Sequence, residues 1–134
     1  MKIDGGCHCG AIQYEAEIDP ARVVVCHCTD CQSLTGSPFR VTVGAARDAV
    51  RLTAGTPRLY EKRGDSGAKR LLLFCGDCGA PLFTTGEGAA AAVYGIRWGS
   101  IRQRHALVPR AAIWRRSAVD WLGEVDDLPS HERD

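Results

Sequence analysis

The clearest periodic signal in the chain lies at residues 11–18 (AIQYEAEI), where Ile12, Tyr14, Ala16 and Ile18 alternate with Gln13, Glu15 and Glu17. A period of two places apolar side chains on one face and polar ones on the other, which predicts a half-buried β-strand. Residues 22–25 (RVVV) form a β-branched run, and 39–43, 50–53, 58–60 and 71–74 read as further short strands. Gly and Pro punctuation separates these runs, as in TAGTP at 53–57 and RGDSG at 63–67. Only 29–34 predicts a helical turn, which Gly36 would end. Residues 88–96 (GAAAAVYGI) pull two ways: the alanines favour helix, whereas Val93, Tyr94 and Ile96 between glycines favour strand. In a chain otherwise made of strands this stretch is assigned to strand. The expected fold is therefore mainly β, a single domain over 1–134 of short, mostly antiparallel strands with little helix. A polar tail over about 124–134 (ending VDDLPSHERD) is expected to lie loosely on the surface.

Composition narrows the class of function. A hydrophobic fraction of 45% and a charged fraction of 25% are ordinary for a globular domain. A net charge of +1 favours neither a membrane surface nor nucleic acid as a partner. No apolar run is long enough to span a bilayer, and MKIDGGCHCG has no apolar leader segment, so a cytoplasmic location is expected.

Cysteine changes the picture. All seven fall in three tight groups: Cys7 and Cys9; Cys26, Cys28 and Cys31; Cys75 and Cys78. An odd number in a reducing compartment is a poor disulfide framework, whereas C-x-C and C-x-x-C spacings let a short turn converge two thiolates on one ion. Zinc is the expected metal, since thiolate-only ligation suits it, although iron uses thiolates too. The seven divide as four plus three. Cys7, Cys9, Cys75 and Cys78 would close a tetrahedral structural site from halves far apart in sequence. Cys26, Cys28 and Cys31 would hold a second ion with one position open, which is how catalytic zinc differs from structural zinc. The competing reading has the triplet borrow His27 or His8 and serve structure alone. A histidine flanked by two ligands is more often a packing residue, so neither is assigned as a ligand.

Three motifs in order, GGCHCGAI at 5–12, CHCTDCQSLTGSPF at 26–39 and FCGDCGAPL at 74–82, resemble the glutathione-dependent formaldehyde-activating enzyme (Gfa) family. The segment PRAAIW at 109–114, followed by Trp121 and by Leu128 and Pro129, is similar to that family's C-terminal pattern. The resemblance implies a zinc-pinned β-tent fold with two Zn2+ per chain. It implies a structural zinc on Cys7, Cys9, Cys75 and Cys78 and a catalytic zinc on Cys26, Cys28 and Cys31. It also implies a carbon–sulfur lyase activity like that of S-(hydroxymethyl)glutathione synthase, with a small glutathione-like thiol and an aldehyde, or their adduct, as partners. One departure is visible: family members commonly carry Gly-Thr-Leu-Asp-Asp where this chain has Gly-Ser-Ile-Arg-Gln at 99–103.

A zinc on three thiolates carries a net negative charge and is a weak Lewis acid, which disfavours hydrolysis; a soft thiol is a good fourth ligand. Zinc deamination needs a ligand followed two residues later by glutamate, and no cysteine here has one. From Gly88 to Ser117 there is no acidic residue, while Arg97, Arg102, Arg104, Arg110, Arg115 and Arg116 all fall there. This is either an anion site or a set of solvated arginines. Trp98, Trp114 and Trp121 are expected in the core or lining a pocket. The alternatives to a lyase are a non-catalytic double-zinc module binding nucleic acid or protein, and a carrier in which zinc is only a scaffold.

Overall fold

The computed structural model describes residues 1–134. Its elements in chain order are β1 (Lys2–Gly6), β2 (Gln13–Glu17), β3 (Val23–Cys26), α1 (Thr29–Thr35), β4 (Arg40–Ala46), β5 (Val50–Ala54), β6 (Arg58–Arg63), β7 (Lys69–Phe74), β8 (Pro81–Thr85), β9 (Val93–Arg97) and β10 (Ala111–Ile113), joined by turns and short 3₁₀ segments. The fold is mainly β. The alternation at 11–18 becomes β2, with Tyr14 and Ala16 buried and Gln13, Glu15 and Glu17 exposed. It sits between β1 and β5 in a three-stranded antiparallel sheet. A seven-stranded sheet runs in the order β10-β3-β4-β9-β8-β7-β6, antiparallel throughout except where β10 lies parallel to β3.

The core is made where the two sheets meet. Tyr14 of β2 packs edge-on against Phe83 of β8 at a centroid distance of 4.8 Å, and Leu82, Ile96, Ile101 and Leu107 are fully buried around them. The Tyr14 hydroxyl shares a 2.7 Å hydrogen bond with the Ser100 hydroxyl, so the buried phenol keeps a polar partner. Gly5 lies against this contact: a Cβ there would stand 2.2 Å from the Ser100 carbonyl oxygen, so no larger residue fits.

The strands expected at 22–25, 39–43, 50–53, 58–60 and 71–74 correspond to β3 through β7. The helical turn is α1, and Gly36 ends it in the left-handed region (φ 62°), its N–H donating to Gln32 O at 3.0 Å. One assignment is corrected. Residues 88–96 are not all strand: Gly88–Ala92 is a 3₁₀ turn and only from Val93 does β9 begin. The alanines offer little side chain to bury on a sheet face, whereas Gly95 and Ile96 are held between β4 and β8 by pairing on both sides. Residues 123–134 are exposed, and Asp120–Asp127 winds into 3₁₀ turns. No helix is long and apolar enough to cross a membrane.

Candidate metal centres and their cavity

The β1–β2 turn carries Cys7 and Cys9, and the β7–β8 turn carries Cys75 and Cys78, so one pair hangs from each sheet. The turns are built alike. Cys7 N–H donates to Ile12 O at 3.0 Å and Cys75 N–H to Ala80 O at 3.0 Å, closing each loop around its sulfurs. The four Sγ atoms lie within 4.8 Å of one another, with Cys7–Cys9 at 3.6 Å and Cys9–Cys75 at 3.8 Å. A tetrahedral zinc with Zn–S bonds of about 2.3 Å has sulfurs about 3.8 Å apart, so the cluster has the dimensions of a closed metal site.

Its protonation pattern carries the same message. Backbone N–H groups of Ala80 and Cys9 aimed at Cys78 Sγ pull its thiol down to about 6. The Ala11 N–H likewise favours the Cys9 thiolate, but the neighbouring sulfurs and burial override it and push Cys9 up to about 12. Sulfurs this close cannot all ionise without a cation among them.

The second cluster is local. Cys26 ends β3, Cys28 is the N-cap of α1, and Cys31 lies in its first turn. Cys31 N–H donates to Cys28 Sγ at 3.2 Å, so the helix cap and the ligand are one atom. The three sulfurs lie within 4.8 Å of one another. Burial, then the sulfurs of Cys28 and Cys26, push the Cys31 thiol well up. Burial also raises Cys26. Cys28 is lowered: burial opposes its thiolate, but hydrogen bonds from Cys31 and Cys26 and the charge of Lys62 outweigh that. All seven cysteines are free. Neither histidine belongs to a cluster. His27 is buried, its Nδ1 without a partner, its ring edge-on to Phe39 at 5.9 Å, and burial lowers its pKa. His8 is exposed.

The triplet forms one wall of a cavity of about 590 Å³. The floor is one face of the large sheet: Val24 and Cys26 of β3, Arg40 and Thr42 of β4, Arg97 of β9 and Thr84 of β8. Alternation along strands in register puts them on a common side. Lys62 of β6 closes one rim through an ion pair with Asp30 of α1 at 2.6 Å. The opposite rim comes from the end of β10. Its parallel pairing sets Ile113 beside Cys26, and His27 N–H donates to Ile113 O at 3.1 Å. Trp114 follows in the left-handed region (φ 56°), an unfavourable backbone for a bulky residue, and its ring carries the Arg116 guanidinium 5.0 Å from its centroid. Gln32 ties these parts together, its Nε2 donating to His27 O at 3.0 Å and Ser117 O at 2.9 Å. An apolar hollow of about 350 Å³ adjoins the cavity across Leu34, Leu72, Arg40 and Arg97, lined further by Tyr60, Phe74 and Phe83.

The arginine-rich segment divides. Arg97 and Arg116 reach the cavity. Arg102 pairs with Asp4, and Gln103 donates to the other Asp4 oxygen at 2.6 Å, so the departure at 99–103 holds β1 and does not line the cavity. Arg104 stacks over Trp98 at 5.9 Å. Of the tryptophans, Trp98 packs on the core and Trp114 lines the cavity; Trp121 does neither, being 53% exposed. Sequence reasoning missed Arg40, Arg70 and Gln32. Arg40 follows directly on the 26–39 motif, and its inward placement comes from being the cross-strand partner of Cys26, which no local pattern displays.

Comparison with known proteins bears on the same residues. A family model described as the glutathione-dependent formaldehyde-activating enzyme matches residues 2–117. No curated protein matches the chain. Among solved structures, the crystal structure of a Rhodobacter sphaeroides protein superposes with a TM-score of 0.63 at 23% identity, covering 81% of this chain and 98% of that one, which is a likeness of fold. With its three cysteine motifs inside the matched span and folded into two metal-sized clusters, the chain belongs to the glutathione-dependent formaldehyde-activating enzyme family.

Proposed function

We propose that this protein is a zinc-dependent carbon–sulfur lyase that adds a small thiol of the glutathione class to an aldehyde of the formaldehyde class, or releases the two from their adduct. The observation that carries the reading is that Cys26, Cys28 and Cys31 converge on one point and, on their remaining side, meet a cavity large enough for a small organic molecule. When loaded, such a site supplies a soft Lewis acid able to keep a thiol deprotonated at neutral pH. The reaction itself is redox-neutral: the thiol sulfur bonds to the carbonyl carbon and the thiol proton ends on the carbonyl oxygen.

The chain's own residues supply geometry. Cys28 and Cys31 are fixed relative to each other by the helix cap, and Cys26 by its place in β3. Gln32 locks the helix to the loops on either side. Val24, Leu34, Leu72 and Ile113 make parts of the wall apolar and restrict water at the reacting atoms. Cys7, Cys9, Cys75 and Cys78 take the structural role, joining a turn of the small sheet to a turn of the large one. The nucleic-acid module is disfavoured because two of the cavity's arginines are buried in its floor and do not form an exposed basic face.

Cys31→Ser tests the reading. Two thiolates hold an ion far more weakly than three, while the remote four-cysteine cluster is untouched. Metal content is expected to fall from two ions per chain to one, circular dichroism to remain native, and turnover of the hemithioacetal to drop to the uncatalysed background. Full activity above that background would show that the triplet is not the reaction centre.

A further inference from the structure

Four apolar side chains gather on the side of the large sheet away from the core. Leu72 is buried, yet it is not part of the cluster that Tyr14, Phe83 and Ile96 build between the sheets. Tyr60 of β6 is its cross-strand partner, and Phe74 lies two residues further along β7, so the three share a face. Arg70, two residues the other way along β7, lines the cavity of the cysteine triplet, which identifies that face. Leu34 joins them from α1. It follows Cys31 by three residues and is therefore its neighbour on the helix surface. Leu34 and Tyr60 leave 40% and 52% of their surface to solvent, so a ligand has apolar area left to cover.

These four line the hollow of about 350 Å³. The hollow and the cavity have Leu34, Leu72, Arg40 and Arg97 in common, so they are neighbouring parts of one surface. Their chemistry differs. The cavity presents Lys62, Arg70 and Thr84, which suit the polar body of a thiol. In the hollow the only polar side chains are the two shared arginines and Tyr60. An apolar space of about 150 Å³ suffices for benzene, so this one has room for a hydrocarbon group of several carbons. Formaldehyde, with one carbon bound to the sulfur, reaches no part of it.

We infer that the hollow is a subsite for a hydrocarbon chain on the carbon that bonds to the substrate sulfur, so that the aldehyde is an apolar one larger than formaldehyde; this rests on the lyase reading of the three-cysteine centre. The helix sets the spacing. Residues three apart have Cβ atoms about 5–6 Å from each other, so Leu34 begins the apolar lining one turn from the ligand Cys31. The carbonyl carbon reacts at the centre and its chain runs past Leu34 onto Leu72, Tyr60 and Phe74. The chemistry is balanced as before: the sulfur–carbon bond forms, the carbonyl π bond opens, and the thiol proton ends on the oxygen. Leu72 and Phe74 belong to a paired strand, so most of the floor is in place before a ligand arrives.

The test uses two unreactive mimics. S-methylglutathione is the formaldehyde adduct without its hydroxyl, and S-hexylglutathione is the hexanal adduct without its hydroxyl. Both are titrated into zinc-loaded protein by calorimetry. The hexyl compound is expected to bind at least about thirtyfold more tightly, since five further methylenes leave water. In Tyr60→Asp, which puts a charge at a half-exposed position of the hollow, that ratio should fall below about fivefold. Equal affinities for the two mimics in the unmodified protein would overturn the subsite, as would a ratio that survives in Tyr60→Asp. A dimer in sedimentation that dissociates in Tyr60→Asp would give the hollow to a second copy of the chain and overturn it too. Turnover with glutathione is then compared for hexanal and formaldehyde, with uncatalysed rates subtracted, and hexanal is expected to have the higher kcat/KM. Turnover of formaldehyde alone would keep the lyase and overturn the inference. Turnover of neither aldehyde, with the hexyl preference intact and lost in Tyr60→Asp, would refute the lyase reading and leave the apolar subsite standing.

Discussion

Gln32 reaches two backbone carbonyls, one beside the cysteine triplet and one beyond β10, from a helix of seven residues. Those two hydrogen bonds are each worth about 1 kcal/mol net. Gln32→Ala should therefore lower unfolding free energy by about 1–2 kcal/mol in urea titration while leaving the cysteines in place. Tyr14 supports a pH prediction. Burial raises its pKa to about 12, against an ordinary value near 10, with the Ser100 hydrogen bond opposing. A raised acid keeps its proton in the fold while the unfolded chain loses it, so the stability it contributes is intact below about pH 10 and declines as pH climbs towards 12. Relative to Tyr14→Phe, the wild type should lose about 1.4 kcal/mol per pH unit over that window. Parallel slopes for the two proteins in denaturant titrations would contradict the buried, protonated phenol. At this scale the sequence is legible where partners are neighbours. Cys26, Cys28 and Cys31 lie within six consecutive residues and announce themselves. Arg40 does not, because what makes it part of the site is its register against Cys26 across the β3–β4 pair.

Among the elements, α1 is short enough that its ends decide its stability. Its C-cap glycine has φ 62°, and a Cβ added there would meet nothing within 4 Å, so substitution brings backbone strain without collision. Gly36→Ala should cost about 1 kcal/mol in chemical denaturation, and Gly36→Asn less, since asparagine tolerates the left-handed region. An alanine variant as stable as the parent would mean the helix end rearranges freely. Elements with a self-contained pattern were readable: β2 by alternation, β3 by its valines, α1 by its punctuation. β1, with Asp4 and two glycines, and β10, two alanines and an isoleucine all exposed, carry no such signal. They become strands because a partner stands ready, β2 for one and β3 for the other. The 3₁₀ turn at Gly88–Ala92 escaped for the converse reason: what stops β9 at Val93 is the extent of its neighbours.

At the scale of the molecule, the four-cysteine cluster links the turns of two different sheets, and its metal affinity, on the proposed reading, is folding free energy. Cys78→Ser should therefore be poorly soluble or show a strongly depressed melting temperature, unlike Cys31→Ser. A normal thermal transition for Cys78→Ser would sink the division of the seven cysteines into structural and catalytic sets. The grouping of the thiols into four and three was readable because the close pairs and the triplet are local in sequence; the cavity was not, since its walls come from β3, β4, β6 to β10 and α1 together.

The two clusters also differ in when they can exist. Cys28 and Cys31 are three residues apart, whereas Cys9 must find Cys75 across 66 and Gln32 must find Ser117 across 85. On a ribosome the triplet emerges whole and can capture an ion while most of the sheet beneath it is still unmade. The four-cysteine cluster has to wait for β7 and its turn, and the far rim of the cavity for β10. Synthesis therefore runs opposite to dependence: the centre proposed to react is the first that can fill, and the one proposed to hold the fold together comes later. A cell short of zinc would on this account accumulate chains that are metallated but not yet folded.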